Sequence, residues 1–113
     1  MPARKLKPPA HLHPETGAWW VQVHTDYALE PHHTRLLTLA CEAFDRAAQA
    51  RDLVAAEGLV CITGDGGRKP HPAVNIERDA RLAFARLVRE LDLDVDGPAQ
   101  DARPPALRSN RRL

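Results

Sequence analysis

Apolar residues recur at three- and four-residue spacing through the middle of the chain, and proline and glycine punctuate the stretches between them. Pro31 opens the longest stretch. Leu36, Leu37, Ala40, Cys41, Phe44, Ala47, Ala48, Val54 and Ala55 mark one face of a predicted helix running to Glu57, with Gly58 as its C-terminal cap. At ~1.5 Å per residue this helix would be about 40 Å long, more than a small core needs, so part of it is expected to pack against another chain. Ala43, Ala47, Ala48 and Ala50 would let a neighbouring helix approach closely.

A second periodic stretch runs from about Pro72 to Leu91. Ala73, Val74, Ile76, Ala80, Ala83, Phe84, Leu87, Val88 and Leu91 form its apolar face, and Asn75, Glu77, Arg78, Arg81, Arg86, Arg89 and Glu90 largely hold the other. A weaker pattern from Pro14 to about Ala28 predicts a first helix, entered through a proline that tolerates its missing N–H and through Glu15 at the positive helix start. Gly17 and Thr25 weaken it. Trp19 and Trp20 diverge by about 100° around such a helix, so only one of them is expected to be fully buried within a single chain.

Between the long helix and the last one, Leu59-Val60-Cys61-Ile62-Thr63 is apolar and partly β-branched, and Gly64-Asp65-Gly66-Gly67 follows directly. This predicts a strand, a tight turn and a return arm carrying Arg68 and Lys69. The expected fold is mainly α: a first helix, a long second helix, a short β-hairpin, a third amphipathic helix and a disordered basic tail, in an oligomeric helical assembly. The corresponding boundaries are a basic N-terminal arm at 1–13, a helical domain at 14–93 with its hairpin at about 59–70, and a flexible acidic-then-basic tail at 94–113.

Composition narrows the function. A chain of 113 residues suits one small domain, and with five aromatic residues Leu, Val and Ala must supply most of its core. Net charge is only +1 but unevenly spread: +3 over residues 1–13, −4 over 14–57, +2 over 58–91, −4 over 92–102 and +4 over 103–113. Basic ends on a nearly neutral body suit a polyanion such as nucleic acid, or serve as solubilising tails. No apolar run approaches the roughly 20 residues that span a bilayer, and the basic start lacks a secretory apolar stretch, so a cytoplasmic location without membrane partners is expected. Cys41 and Cys61 both sit in apolar surroundings and are expected to be buried, reduced thiols.

Catalytic and metal chemistry find little support. His11 and His13 are two apart, His32 and His33 adjacent, and His24 and His71 alone, whereas helical zinc ligands stand three or four apart. No metal or cofactor is expected. Gly64-Asp65-Gly66-Gly67-Arg68-Lys69 departs from a phosphate-cradling P-loop, because Pro70 stands where Ser or Thr should follow the lysine. The single serine, Ser109, lies in the basic tail, and neither cysteine has a histidine nearby in sequence. An enzyme is not expected.

The run Lys69-Pro70-His71-Pro72-Ala73, set between a glycine-rich hairpin and an amphipathic helix, resembles the phage terminase small subunits. So do Glu57-Gly58-Leu59-Val60, Glu77-Arg78-Asp79, Leu87 to Leu93, Leu39 to Phe44, and the opening Lys7 to Glu15 followed by Trp19 or Trp20. The likeness covers roughly residues 6–93. Two departures stand out: His13 occupies a position where the family commonly has a serine-like helix cap, and the upstream basic arm is reduced to Arg4, Lys5 and Lys7.

The resemblance implies a non-catalytic packaging factor. Such a protein assembles as a homo-oligomeric ring, binds double-stranded phage DNA in the bacterial host cytoplasm and delivers it to a large subunit carrying ATPase and nuclease activity. Candidate DNA-binding residues are Arg4, Lys5, Lys7, Arg68, Lys69, Arg103, Arg108, Arg111 and Arg112. Pro70, His71 and Pro72 are expected to form a structural corner, with proline fixing φ on both sides and the imidazole capping the helix. The alternatives are a small helix-turn-helix regulator, whose long second helix would begin Pro-His-His with only Arg35 basic in its first turns, and a structural helical protein without DNA function.

Overall fold

The computed structural model describes residues 6–93. Helix α1 spans Pro14–Asp26, α2 Pro31–Glu57 and α3 Pro72–Leu91; strands β1 (Val60–Ile62) and β2 (Arg68–Pro70) form an antiparallel hairpin between α2 and α3. The three helices and the hairpin thus form as expected, and only α1 is shorter, ending two residues early in extended backbone at Tyr27. Each helix carries proline in its first turn, where the missing N–H would have had no intrahelical partner anyway.

The main packing is α2 against α3. The two run antiparallel: Glu57 at the end of α2 meets His71 at the start of α3, Phe44 meets Phe84 near mid-length, and Leu91 joins Leu37 and Cys41 in the core. Helix α1 adds Trp20 and Val23 to that core, and Leu12 comes from the segment before it. Leu37, Ala40 and Cys41 are completely buried. Trp20 is buried with its indole N–H donated to Thr38 Oγ1 at 3.1 Å, whereas Trp19 stays half-buried, so the adjacent tryptophans do divide. Gly17 has a packing role: a Cβ there would lie 3.3 Å from Pro8, so glycine lets the leading segment close on α1.

The two carboxylates Glu42 and Asp45 of α2 hold the entry to α1. Asp45 accepts from the His13 backbone N–H at 2.8 Å and from the Thr16 hydroxyl at 2.6 Å, while His11 bonds Glu42 at 2.8 Å. At the other end of α1, the Tyr27 hydroxyl donates to the Leu93 carbonyl.

Three expectations of burial fail. Phe44, placed on the apolar face of α2, is 51% exposed, and Ile76 of α3 is 45% exposed. Ala55 is also exposed. The cause is geometric: a helix face is wider than the strip one antiparallel partner covers, and α1 is too short to cover the rest. The cysteines differ as well. Cys41 is buried, but Cys61 on the hairpin is only half-buried. Burial pushes the Cys41 thiol up to about 12, helped by the negative charges of Asp45 and Glu42. A thiol reagent at pH 8 is therefore expected to modify one cysteine per native chain and two per denatured chain, because the thiolate is the reactive form. Two modified cysteines at equal rates in the native protein would contradict this packing.

Candidate nucleic-acid interface and aromatic groove

The corner between hairpin and α3 is built around His71. Its Nδ1 accepts the Ala73 backbone N–H at 3.0 Å, capping α3, while Nε2 bonds the Glu57 carboxylate at 2.7 Å and its own backbone N–H donates to the Leu59 carbonyl at 2.7 Å. One buried residue therefore ties together the end of α2 and the start of α3 through its ring and the base of the hairpin through its backbone N–H. A neutral imidazole with its proton on Nε2 satisfies both ring contacts at once. The same device opens α1, where His13 Nδ1 accepts from the Glu15 backbone N–H at 3.1 Å. The cap that a serine would provide is here an imidazole.

The turn of the hairpin is self-contained. Asp65 accepts from the Thr63 hydroxyl and from the Gly67 N–H at 3.0 Å, and Gly66 N–H donates to the Thr63 carbonyl at 2.9 Å. Those hydrogen bonds hold the Asp65 carboxyl below the usual carboxylate range, so it is ionised. Gly66 sits at φ +90, a conformation that L side chains rarely adopt. A carboxylate already occupying a loop N–H excludes a phosphate from that position, in keeping with a hairpin turn rather than a phosphate cradle.

Arg68 and Lys69 lie exposed on β2 beside this turn. The register pairs Val60 with Pro70, Cys61 with Lys69 and Ile62 with Arg68. Alternation then puts Val60, Ile62, Arg68 and Pro70 on one face and Cys61 and Lys69 on the other. Lys7 is also exposed, but it precedes the segment anchored at Glu42 and Asp45, about 20 Å back along α2 from the hairpin. Arg68 and Lys69 are thus neighbours on β2 that point to opposite faces of the hairpin, and Lys7 lies apart from both. Arg4, Lys5, Arg103, Arg108, Arg111 and Arg112 lie outside the described residues.

One feature was not singled out from the sequence as a site. Trp19, Phe44 and Phe84 form an aromatic row, with Trp19 6.0 Å and Phe44 5.3 Å from Phe84 between ring centroids. Two adjoining clefts of about 340 and 300 Å³ flank it; Glu15 and Thr16 line the first, and Ala47, Ala48, Arg51 and Arg81 the second. The three rings come from three different helices, so their contact shows only in the packed structure. Among the described residues, no group of three or more His, Cys, Asp or Glu is arranged to hold a metal ion, and no helix is long and apolar enough to cross a membrane.

The sequence profile of a family described as phage terminase, small subunit, matches residues 20–103, most of the chain. The chain belongs to the phage terminase small-subunit family. This membership assigns it a part in viral genome packaging. No curated protein and no solved structure gives a significant match. The family match takes in α2, the hairpin, the His71 corner and α3, so the corner is part of the family's own region of this small subunit. Replacing His71 with alanine removes a cap, typically worth about 1 kcal/mol, and a buried ring. The variant is expected to melt several degrees lower in calorimetry. Unchanged melting would contradict the corner role.

Proposed function

We propose that this chain is the non-catalytic DNA-recognition and adaptor subunit of a packaging terminase. In this reading several copies assemble in the host cytoplasm, bind double-stranded phage DNA and deliver it to the large ATPase/nuclease subunit. The observation that carries the reading is the family match over residues 20–103. Exposed Arg68 and Lys69 on a hairpin, and an apolar groove left uncovered by a single chain, are consistent with it. In an assembly each subunit adds a few cations to one surface, so weak phosphate contacts sum through effective concentration. Lys7, Arg68 and Lys69 are the described candidates. Arg4, Lys5, Arg103, Arg108, Arg111 and Arg112 are the candidates outside the described residues.

The test is DNA affinity as a function of salt. Affinity for duplex DNA should fall steeply with salt, and replacing Arg68 and Lys69 with alanine should flatten the log–log slope by about 2 for each subunit whose hairpin touches phosphate. No DNA binding even at low salt would overturn the adaptor reading. An unchanged slope in the double variant would remove the hairpin from the DNA-contacting surface.

A further inference from the structure

The hairpin exposes an apolar face. Ile62 is 69% and Val60 49% exposed, and both lie on the side opposite half-buried Cys61. A two-stranded ribbon is marginal by itself, and an uncovered apolar face makes it more so. The same chain carries an apolar recess of its own, the groove around Phe44 and Phe84 with Ala47 and Ala48 on the α2 side. A projecting apolar ribbon and an empty apolar groove are complementary surfaces.

They cannot meet within one chain. Ile62 stands four residues beyond Gly58, a reach of about 13 Å along an extended strand. Phe44 lies fourteen residues back along α2, about 21 Å away. The base of the hairpin is also fixed, because His71 bonds both Leu59 and Glu57. Ile62 thus falls short of its own groove.

We propose that the hairpin of one copy seats in the aromatic groove of the next, Ile62 and Val60 packing on Phe44 and Phe84. The inference rests on the assembly part of the adaptor reading and names the contact that builds it. Charge supports the pairing. The ionised Asp65 at the hairpin tip matches Arg51 and Arg81 at one end of the groove. The small side chains of Ala47 and Ala48 let a ribbon approach the α2 backbone closely. A hairpin-to-groove contact is head-to-tail, so each added copy presents a new free groove and a new free hairpin, and the assembly grows until it closes.

The full-length protein is measured by light scattering at moderate salt, as wild type, as Ile62→Glu, as Ala48→Arg and as an equimolar mixture of the two variants. Ile62 is exposed and Ala48 half-buried at the groove wall; circular dichroism checks that helix content is kept, and Phe44→Ser, at a half-exposed position, replaces Ala48→Arg if it is not. The wild type should be a multimer and each variant alone a monomer. The mixture should give a species of twice the monomer mass that grows no further, because only one intact hairpin and one intact groove remain to pair. Variants that keep the wild-type mass, or a mixture that stays monomeric, would overturn the hairpin-to-groove contact while leaving the adaptor reading in place. A wild type that is monomeric across micromolar concentrations would overturn the assembly reading itself and this contact with it.

Discussion

Replacing Leu37 with alanine should lower the free energy of unfolding by about 3 kcal/mol, the largest single effect expected in this chain. Leu37 is completely buried where α1, α2 and the end of α3 meet, and it shares one cluster with Leu12, Trp20, Val23, Cys41 and Leu91. Removing its branched end takes away transfer energy and leaves a cavity, and such truncations typically cost about 2–5 kcal/mol. Small domains hold only about 5–15 kcal/mol in total, so the variant should melt well below the wild type in calorimetry. A loss under about 1 kcal/mol would mean that the core does not close around this residue. Leu39 is a control two residues away: it is 50% exposed on the same helix, and the same replacement there should cost far less.

Asp45→Ala should release α1. The Asp45 carboxylate accepts from the His13 backbone N–H and the Thr16 hydroxyl, the two bonds that fix where α1 begins. Hydrogen bonds to a charged group contribute roughly 1.5–3 kcal/mol each, less where water reaches them, so the half-buried Asp45 should cost about 2–3 kcal/mol on removal. Both tryptophans lie on α1, so intrinsic fluorescence should shift to the red and hydrogen exchange over residues 14–26 should quicken. Glu42→Ala provides the contrast. Its pair with His11 is solvent-exposed, and exposed pairs contribute about 0–1 kcal/mol. Equal losses in the two variants would refute Asp45 as the anchor.

The neighbourhood of Trp20 adds a direction for pH. The His24 ring lies tilted against Trp20 with centroids 4.2 Å apart, and burial lowers its pKa. A lowered imidazole pKa means that the unfolded chain binds the proton more readily. The resulting penalty is absent at neutral pH and grows as pH falls through the ordinary histidine range near ~6.5.

Much of the fold was legible because its signals are local. Pro31 and Gly58 bracket α2, Pro72 opens α3, and the Gly64–Gly67 run turns the hairpin; each rests on the φ that one residue can adopt or the N–H it lacks. His71 was legible as a cap from its place before Pro72, since the capping atom lies two residues from the N–H it accepts. The Glu57 half of the same corner was not, because that partner is fourteen residues away along the chain.

The candidate site divides in the same way. The sequence by itself determined three proline-led helices, a glycine-turned hairpin carrying Arg68 and Lys69, and one buried tryptophan of two, since each follows from neighbours in the chain. Only the tertiary structure decided that Phe44 leaves the core, that Trp19, Phe44 and Phe84 meet, and that Asp45 receives the start of α1. Periodicity tells which residues share a helix face, but not how wide a strip of that face its neighbours cover. That width is set by how three helices of 13, 27 and 20 residues pack, and the shortest of them leaves the middle of the α2–α3 surface open.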